Sequence, residues 1–240
     1  MAKIGVISDI HSNLHALESV LERLETCDSI ICVGDIVGYG AFPNECVDLV
    51  RAYTSRCIMG NHDAACVGIL SLAWFNPYAS AAARWTMEEL NKANLGFLRG
   101  LPSEGKESHA YMVHGTPREP ITEYLTTPIQ ARSAFSARGE RLILVGHTHV
   151  PLIFMERQGV DTFSPADGDA YSYAKRRIIY NPGAVGQPRD GDPRAAYAVV
   201  DTEELRVTQY RVGYDVQAAR EAILDAGLPR ILADRLAVGR

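Results

Sequence analysis

No two of the five cysteines (Cys27, Cys32, Cys46, Cys57 and Cys66) are spaced as CxxC, and their number is odd. That argues against a disulfide framework and for reduced thiols in a cytoplasmic protein. No apolar run approaches the length of a membrane span, and the four-residue strand after Met1-Ala2-Lys3 is too short for a signal peptide. Positive charge is not in excess either. A net charge of −5 disfavours an extended nucleic-acid surface. There is no G-x-S-x-G, no phosphate-binding loop around Lys3, Lys92, Lys106 or Lys175, and no cysteine in a nucleophile motif. Low-complexity segments, long charge runs and internal repeats are also missing. What remains is a chain of 240 residues, 47% hydrophobic and 22% charged, the composition of an ordinary globular protein.

One stretch organises the rest. Arg141 to Val145 reads as a short buried strand closed by Gly146, and His147 and His149 follow it two residues apart. If the chain stays extended there, both imidazoles face one spot beyond the strand end. In an open α/β sheet, that is where ligands bind. The same grammar recurs along the chain. Lys3–Ile7 is a strand followed by Asp9 and His11, and Ser29–Val33 is one followed by Gly34-Asp35. Arg56–Met59 is followed by Gly60-Asn61-His62-Asp63, and Ala110–Val113 by His114-Gly115. Five of the seven histidines fall on these strand ends; His15, within a helix, and His109, before a strand, read as surface residues.

Between the strands, Leu14, Leu17, Val20, Leu21 and Leu24 predict an amphipathic helix over about 13–25, and Pro43 opens another through Arg51. Strand–helix–strand order implies a parallel sheet. Residues 64–101, rich in alanine and aromatics, read as two or three helices, an insert placed to roof the site. Residues 128–138 are weakly helical. After His149 the chain becomes strand-rich (Val150–Glu156, Tyr171–Tyr180, Ala195–Val200, Leu205–Val212), with turns at Asp167-Gly168-Asp169 and Asp190-Gly191-Asp192. Asp215 caps a helix stopped by Gly227 and Pro229, and a short helix ends the chain. No linker divides these elements, so one domain over 1–240 is expected.

The ordered motifs D-x-H, G-D, G-N-H-D, H-G and G-H-T-H resemble those of the calcineurin-like metallophosphoesterases, over Asp9 to His149. Gly34 to Gly40 looks like the small prokaryotic branch. Phosphoprotein phosphatases carry Asp-Arg-Gly where this chain has Gly38-Tyr39-Gly40, and Glu where it has Asp63. Asn181 to Arg189 also resembles a family segment. The resemblance implies an α/β fold: a four-layer αββα sandwich of two mixed β-sheets flanked by helices. It further implies two divalent transition-metal ions (Mn first; Fe, Ni, Co or Zn otherwise). Asp9, His11, Asp35 and His149 would hold one, and Asp35, Asn61, His114 and His147 the other.

The expected activity is hydrolysis of a small phosphodiester or phosphomonoester, including nucleotides, by a water activated between the metals. His62 would assist the leaving group, with Asp63 orienting its imidazole. Arg118, Arg189 and Tyr39 are candidate substrate contacts, and Asn76 a candidate lining residue. The expected partner is the small phosphate ester alone, without membrane or extended nucleic acid, in a chain able to form a homo-oligomer. The competing reading is a non-catalytic metal-binding scaffold of the same fold, as in a retromer subunit. An Asp9/Asp35 acid pair acting as a glycosidase would leave the clustered histidines unexplained.

Overall fold

The computed structural model describes residues 2–54, 56–107 and 110–240. His109 lies outside the described residues. The chain begins β1 (Lys3–Ile7), α1 (Leu14–Leu24), β2 (Ser29–Cys32), α2 (Pro43–Tyr53) and β3 (Arg56–Cys57). The helical segment follows: α3 (Asn61–Cys66), a 3-10 turn (Leu72–Trp74), α4 (Pro77–Glu89) and α5 (Lys92–Arg99). Next come β4 (Glu104–Glu107), β5 (Ala110–Val113), α6 (Pro128–Ala137), β6 (Leu142–Leu144), β7 (Leu152–Glu156), β8 (Val160–Phe163) and β9 (Ala170–Ser172). The chain closes with β10 (Ile178–Asn181), β11 (Ala195–Asp201), β12 (Arg206–Val212), α7 (Val216–Asp225) and α8 (Arg230–Leu236).

The strands form two six-stranded mixed sheets, ordered β3-β2-β1-β11-β12-β9 and β4-β5-β6-β10-β7-β8. Alternation along each strand decides which layer a side chain enters. Ile4 and Val6 of β1 and Ile31 of β2 point between the sheets, where they meet Met112, Leu142, Leu144, Ile178 and Tyr180 from the second sheet. Ile7, Ile30 and Cys32 point outward onto Leu17, Val20, Leu21 and Leu24 of α1 and Val47 and Val50 of α2. On the far side, Tyr111, Ile143 and Ile179 pack under Ala131, Ala134 and Phe135 of α6. The result is helix, sheet, sheet, helix, as the motifs implied. Among the described residues, no helix is long and apolar enough to cross a membrane, and the five cysteines are free thiols.

Three expectations about elements are corrected. Tyr171–Tyr180 is not one strand: β9 pairs with β12 in the first sheet and β10 with β6 and β7 in the second, so the chain changes sheets between them. β4 was not anticipated, because Glu104-Gly105-Lys106-Glu107 carries no apolar alternation. It is an edge strand, where charge is tolerated and discourages further pairing. β8 is the other edge of the same sheet and equally weak in pattern.

Candidate metal centre

The loops leaving β1, β2, β5 and β6 converge at one rim, with the start of α3 beside them. The structure gathers there all seven residues expected as ligands. One group joins Asp9, His11, Asp35 and His149, the other Asp35, His114 and His147, with the ligand atoms within 4.8 Å of one another in each. Asn61 joins the second group, its Oδ1 3.2 Å from His114 Nε2. Asp35 is common to both. Its Oδ1 accepts the His62 backbone N–H at the start of α3, whereas its buried Oδ2 has no well-aligned hydrogen bond among the described residues. His114 Nε2 lies 3.3 Å and His11 Nε2 3.6 Å from that free oxygen.

The route to this convergence differs from the extended chain expected from the i, i+2 spacing. Asp9, His11, Asp35, His147 and His149 all have left-handed backbone, with φ between 50° and 69°. Each such turn costs an L-residue on the order of 1–2 kcal/mol, and strain of this kind collects at functional sites. Asp9 and His11 stay in one group, whereas the second pair is split: His147 turns toward His114, and His149 toward His11 and Asp9. Close backbone approach is also required, because a Cβ at Gly60 would run into the Asp35 carboxylate and amide.

Backbone carbonyls fix the tautomers. His11 Nδ1 donates to Val37 O (3.1 Å), His114 Nδ1 to Val33 O (2.8 Å) and His149 Nδ1 to Gln187 O (2.7 Å), so each turns Nε2 inward. His147 is reversed: its Nε2 faces Thr122 O at 3.3 Å, and its ring stacks on Tyr124 at 3.8 Å. Burial drives the pKa of His11 and His149 well below the ordinary imidazole value and that of His147 to about 3. These three rings are neutral. Burial lowers His114 too, but Asp35 and Asp9 outweigh it and lift this ring to about 9. Burial, opposed by His114 and reinforced by Asp35, pushes Asp9 up to about 7. It acts the same way on Asp35, where His114, His62 and His11 prevail and hold the carboxyl well below its usual range.

One contact tests whether these residues fit a cation. His11 Nε2 and His149 Nε2 lie 3.0 Å apart. Both rings are neutral and both spend their proton on a carbonyl, so two lone pairs face each other at hydrogen-bond distance. That arrangement is repulsive by itself and fits a positive ion held beside both nitrogens. The free Asp35 Oδ2 fits the same reading.

Two role assignments are corrected. Asp63 does not orient His62: its Oδ1 accepts from the Ile36 and Val37 amides (2.9 and 3.1 Å) and its Oδ2 from Gly60 N (3.1 Å). It ties the Asp35 loop to the start of α3. Burial and then Asp35 push its pKa up to about 7 against the Gly60 and Val37 amides and His114. His62 Nδ1 is buried without a partner, and the ring is held instead by Tyr39 (centroids 4.4 Å apart), with Phe75 and His11 edge-on at 4.8 Å. Arg118 is not at the centre. It is 68% exposed, pairs with Glu123 and borders a separate depression beside Ile129 and Ser133. Arg189 does reach the site: Nη2 meets Tyr39 Oη (3.3 Å) and Gln187 Oε1 (3.0 Å), while Nε is buried without an acceptor.

A cleft opens beside the cluster, floored by Asn61, His62 and His147 and walled by Tyr39, Phe75 and Asn76 from one side and Thr122 and Tyr124 from the other. Leu70, Trp74, Phe75, Asn76 and Ala79 of the helical segment line this cleft. Asn76 mainly caps α4, its Oδ1 accepting from Tyr78 and Ala79 amides. The sequence reading singles out neither Trp74, one aromatic of an apolar helical segment that reads as core, nor Tyr124, in a polar, aperiodic loop.

The same fold is found in known proteins. A crystal structure of a metallophosphoesterase from Sphaerobacter thermophilus matches with a TM-score of 0.92 and 45% identity, covering 100% of this chain and 99% of that one. The structure of a hypothetical protein from Pyrococcus horikoshii OT3 shares the fold, with a TM-score of 0.82 at 20% identity over 100% of this chain and 99% of that one. A relative from Methanocaldococcus jannaschii, described as an uncharacterized protein, is 40% identical over 99% of this chain and 98% of its own length. The model of the calcineurin-like phosphoesterase superfamily domain matches residues 2–205, and the chain belongs to that superfamily.

Proposed function

We propose that this protein is a cytoplasmic, dinuclear metal-dependent phosphoesterase that hydrolyses a small phosphodiester or phosphomonoester. The observation that carries the reading is the pair of neutral imidazoles, His11 and His149, whose Nε2 lone pairs meet at 3.0 Å beside Asp9 and Asp35. Asp9, His11, Asp35 and His149 would hold one ion, and Asp35, Asn61, His114 and His147 the other. Carboxylate, imidazole and amide donors without thiolate suit Mn first, then Fe, Co, Ni or Zn. When bound, two such ions supply an activated water and polarise the phosphoryl oxygens.

The chain's own residues do the remainder. Asp35 turns its free oxygen to both groups, and Nδ1–carbonyl bonds keep three imidazoles aimed inward. Arg189, beside His149 and with an unpartnered Nε, meets a phosphate oxygen. Tyr39 limits the pocket on that side. His62 lines the cleft and donates to the leaving oxygen as it gains charge.

The test compares p-nitrophenyl phosphate with bis-p-nitrophenyl phosphate under Mn, Ni, Zn and Mg, alongside metal analysis. Two ions per chain with turnover of either ester is the expected result. Ions bound without turnover of any ester would select the scaffold reading. For His62→Ala we expect unchanged metal content and kcat lowered about 10²- to 10³-fold, most for esters with poor leaving groups. Full turnover of those esters would remove His62 from the mechanism.

A further inference from the structure

The cleft beside the cluster is lined in a way that phosphate chemistry alone does not require. Among the described residues, no Asp, Glu, Lys or Arg lines it; beyond its Asn and His floor, its walls are mainly aromatic and apolar. Trp74 is 75% exposed and Tyr124 49% exposed, yet both border this one cleft rather than lying scattered. Large exposed aromatics gathered at the mouth of a pocket mark a binding surface. Tyr124 is also pre-positioned, since one face lies against the His147 ring at an interplanar angle of 15°. Trp74 ends a 3-10 turn that Ser71 caps by accepting from Ala73 N, and two residues separate it from α4, which begins at Pro77.

We propose that Trp74 and Tyr124 form a stacking subsite for a planar, uncharged ring system carried by the substrate, of the nucleoside kind. The substrate class is thus a nucleoside phosphate ester whose only anionic group is the one at the cluster. Past Arg189 behind Tyr39, a polyphosphate or an acidic peptide would extend its further charges along a cleft whose lining holds no Lys or Arg among the described residues. The His147–Tyr124 stack and the exposed indole of Trp74 instead offer aromatic surface, to which bases bind with little regard for sequence. This inference rests on the phosphoesterase reading for the position of the phosphate, but its measurement does not depend on turnover.

The Mn-loaded protein is titrated calorimetrically with adenosine 5′-monophosphate and with ribose 5-phosphate, which differ only in the base. Wild type should prefer the nucleotide by about ten-fold or more, the effect of one stacked base. Trp74→Ala should erase most of that ratio, and Trp74→Phe should restore much of it, with circular dichroism verifying that each variant is folded. Equal affinities in wild type, an unchanged ratio in folded Trp74→Ala, or binding of neither ligand would overturn the subsite. Absence of ester hydrolysis with the ratio intact would overturn the phosphoesterase reading and leave the subsite standing.

Discussion

Asp35 and Asp169 both follow a glycine in a turn, and in the sequence only the apolar strand ahead of Asp35 marks it as the ligand candidate of the two. The structure separates them by what balances their charge. Around Asp167, Asp190 and Asp192, arginines answer the carboxylates: Arg194 bonds Asp167 (3.0 Å) and Asp192 (2.8 Å), and Arg211 pairs with Asp190. Asp169 closes its own turn by accepting from Ala166 N at 2.9 Å. At the rim of the sheets, Asp9 and Asp35 are fully buried and, among the described residues, no arginine or lysine bonds to either. Their neighbours are imidazoles, most of them neutral. A buried carboxylate without a fixed cation is costly unless an ion pairs with it. The first set holds turns in shape; the second is arranged to receive charge.

Replacing Asp35 is the strongest way to break that contrast. Asp35→Asn preserves shape but removes the charge shared by both groups, and it either sets an amide N–H against the His62 backbone N–H or replaces the inward carboxylate oxygen with an N–H that cannot ligate a cation. With several kcal/mol of phosphoryl stabilisation at stake, kcat/KM toward bis-p-nitrophenyl phosphate should fall by about 10³-fold or more. Metal content should drop below two ions per chain by mass spectrometry. A variant that retained two ions and activity within ten-fold of wild type would show that Asp35 is no more special than Asp169.

Asp63 falls between the two sets, which sharpens the comparison. It is buried like the ligands, yet its charge is met by three backbone N–H groups instead of a metal. Asp63→Asn must turn an amide N–H toward one of those donors, costing about 2 kcal/mol of stability. It should also weaken metal binding by about 10- to 100-fold, as loss of an outer hydrogen-bond partner does. Thermal denaturation and metal titration read the two effects. If Asp63 instead oriented His62, the variant would bind metal normally and lose rate most on esters with poor leaving groups.

The same comparison explains what could be read from the sequence. Residue types at strand ends were legible: Asp9, His11, Asp35, Asn61, His114, His147 and His149 each follow an apolar run, and the order of strands and helices implied the layers. The local geometry was not. Left-handed φ at Asp9, His11, Asp35, His147 and His149 is imposed by the surrounding fold and has no glycine to announce it. The carbonyls of Val33, Val37, Thr122 and Gln187 that aim the imidazoles are supplied by backbone, which any residue carries. Asp63 misled because adjacency to His62 suggested a carboxylate–imidazole pair, whereas the first turn of α3 sends the two side chains apart. Arg118 misled because nearness in sequence to His114 did not place it there, and Glu123 captures it. Edge strands β4 and β8 escaped notice because pairing on one side alone does not demand an apolar pattern.

The smallest expected effect tests the other half of the contrast. Arg194 is 45% exposed, and its partners Asp167 and Asp192 are 38% and 29% exposed. Its hydrogen bond holds the Asp192 carboxyl below the usual range, but water screens charges at such a surface. The backbone N–H of residue 194 also keeps its 2.9 Å bond to Asp192 whatever the side chain. Arg194→Ala should therefore cost no more than about 0.5 kcal/mol by chemical denaturation, with metal content and turnover unchanged. A loss of 2 kcal/mol or more, or any fall in metal content, would mean that the turn carboxylates and the rim carboxylates act as one electrostatic unit.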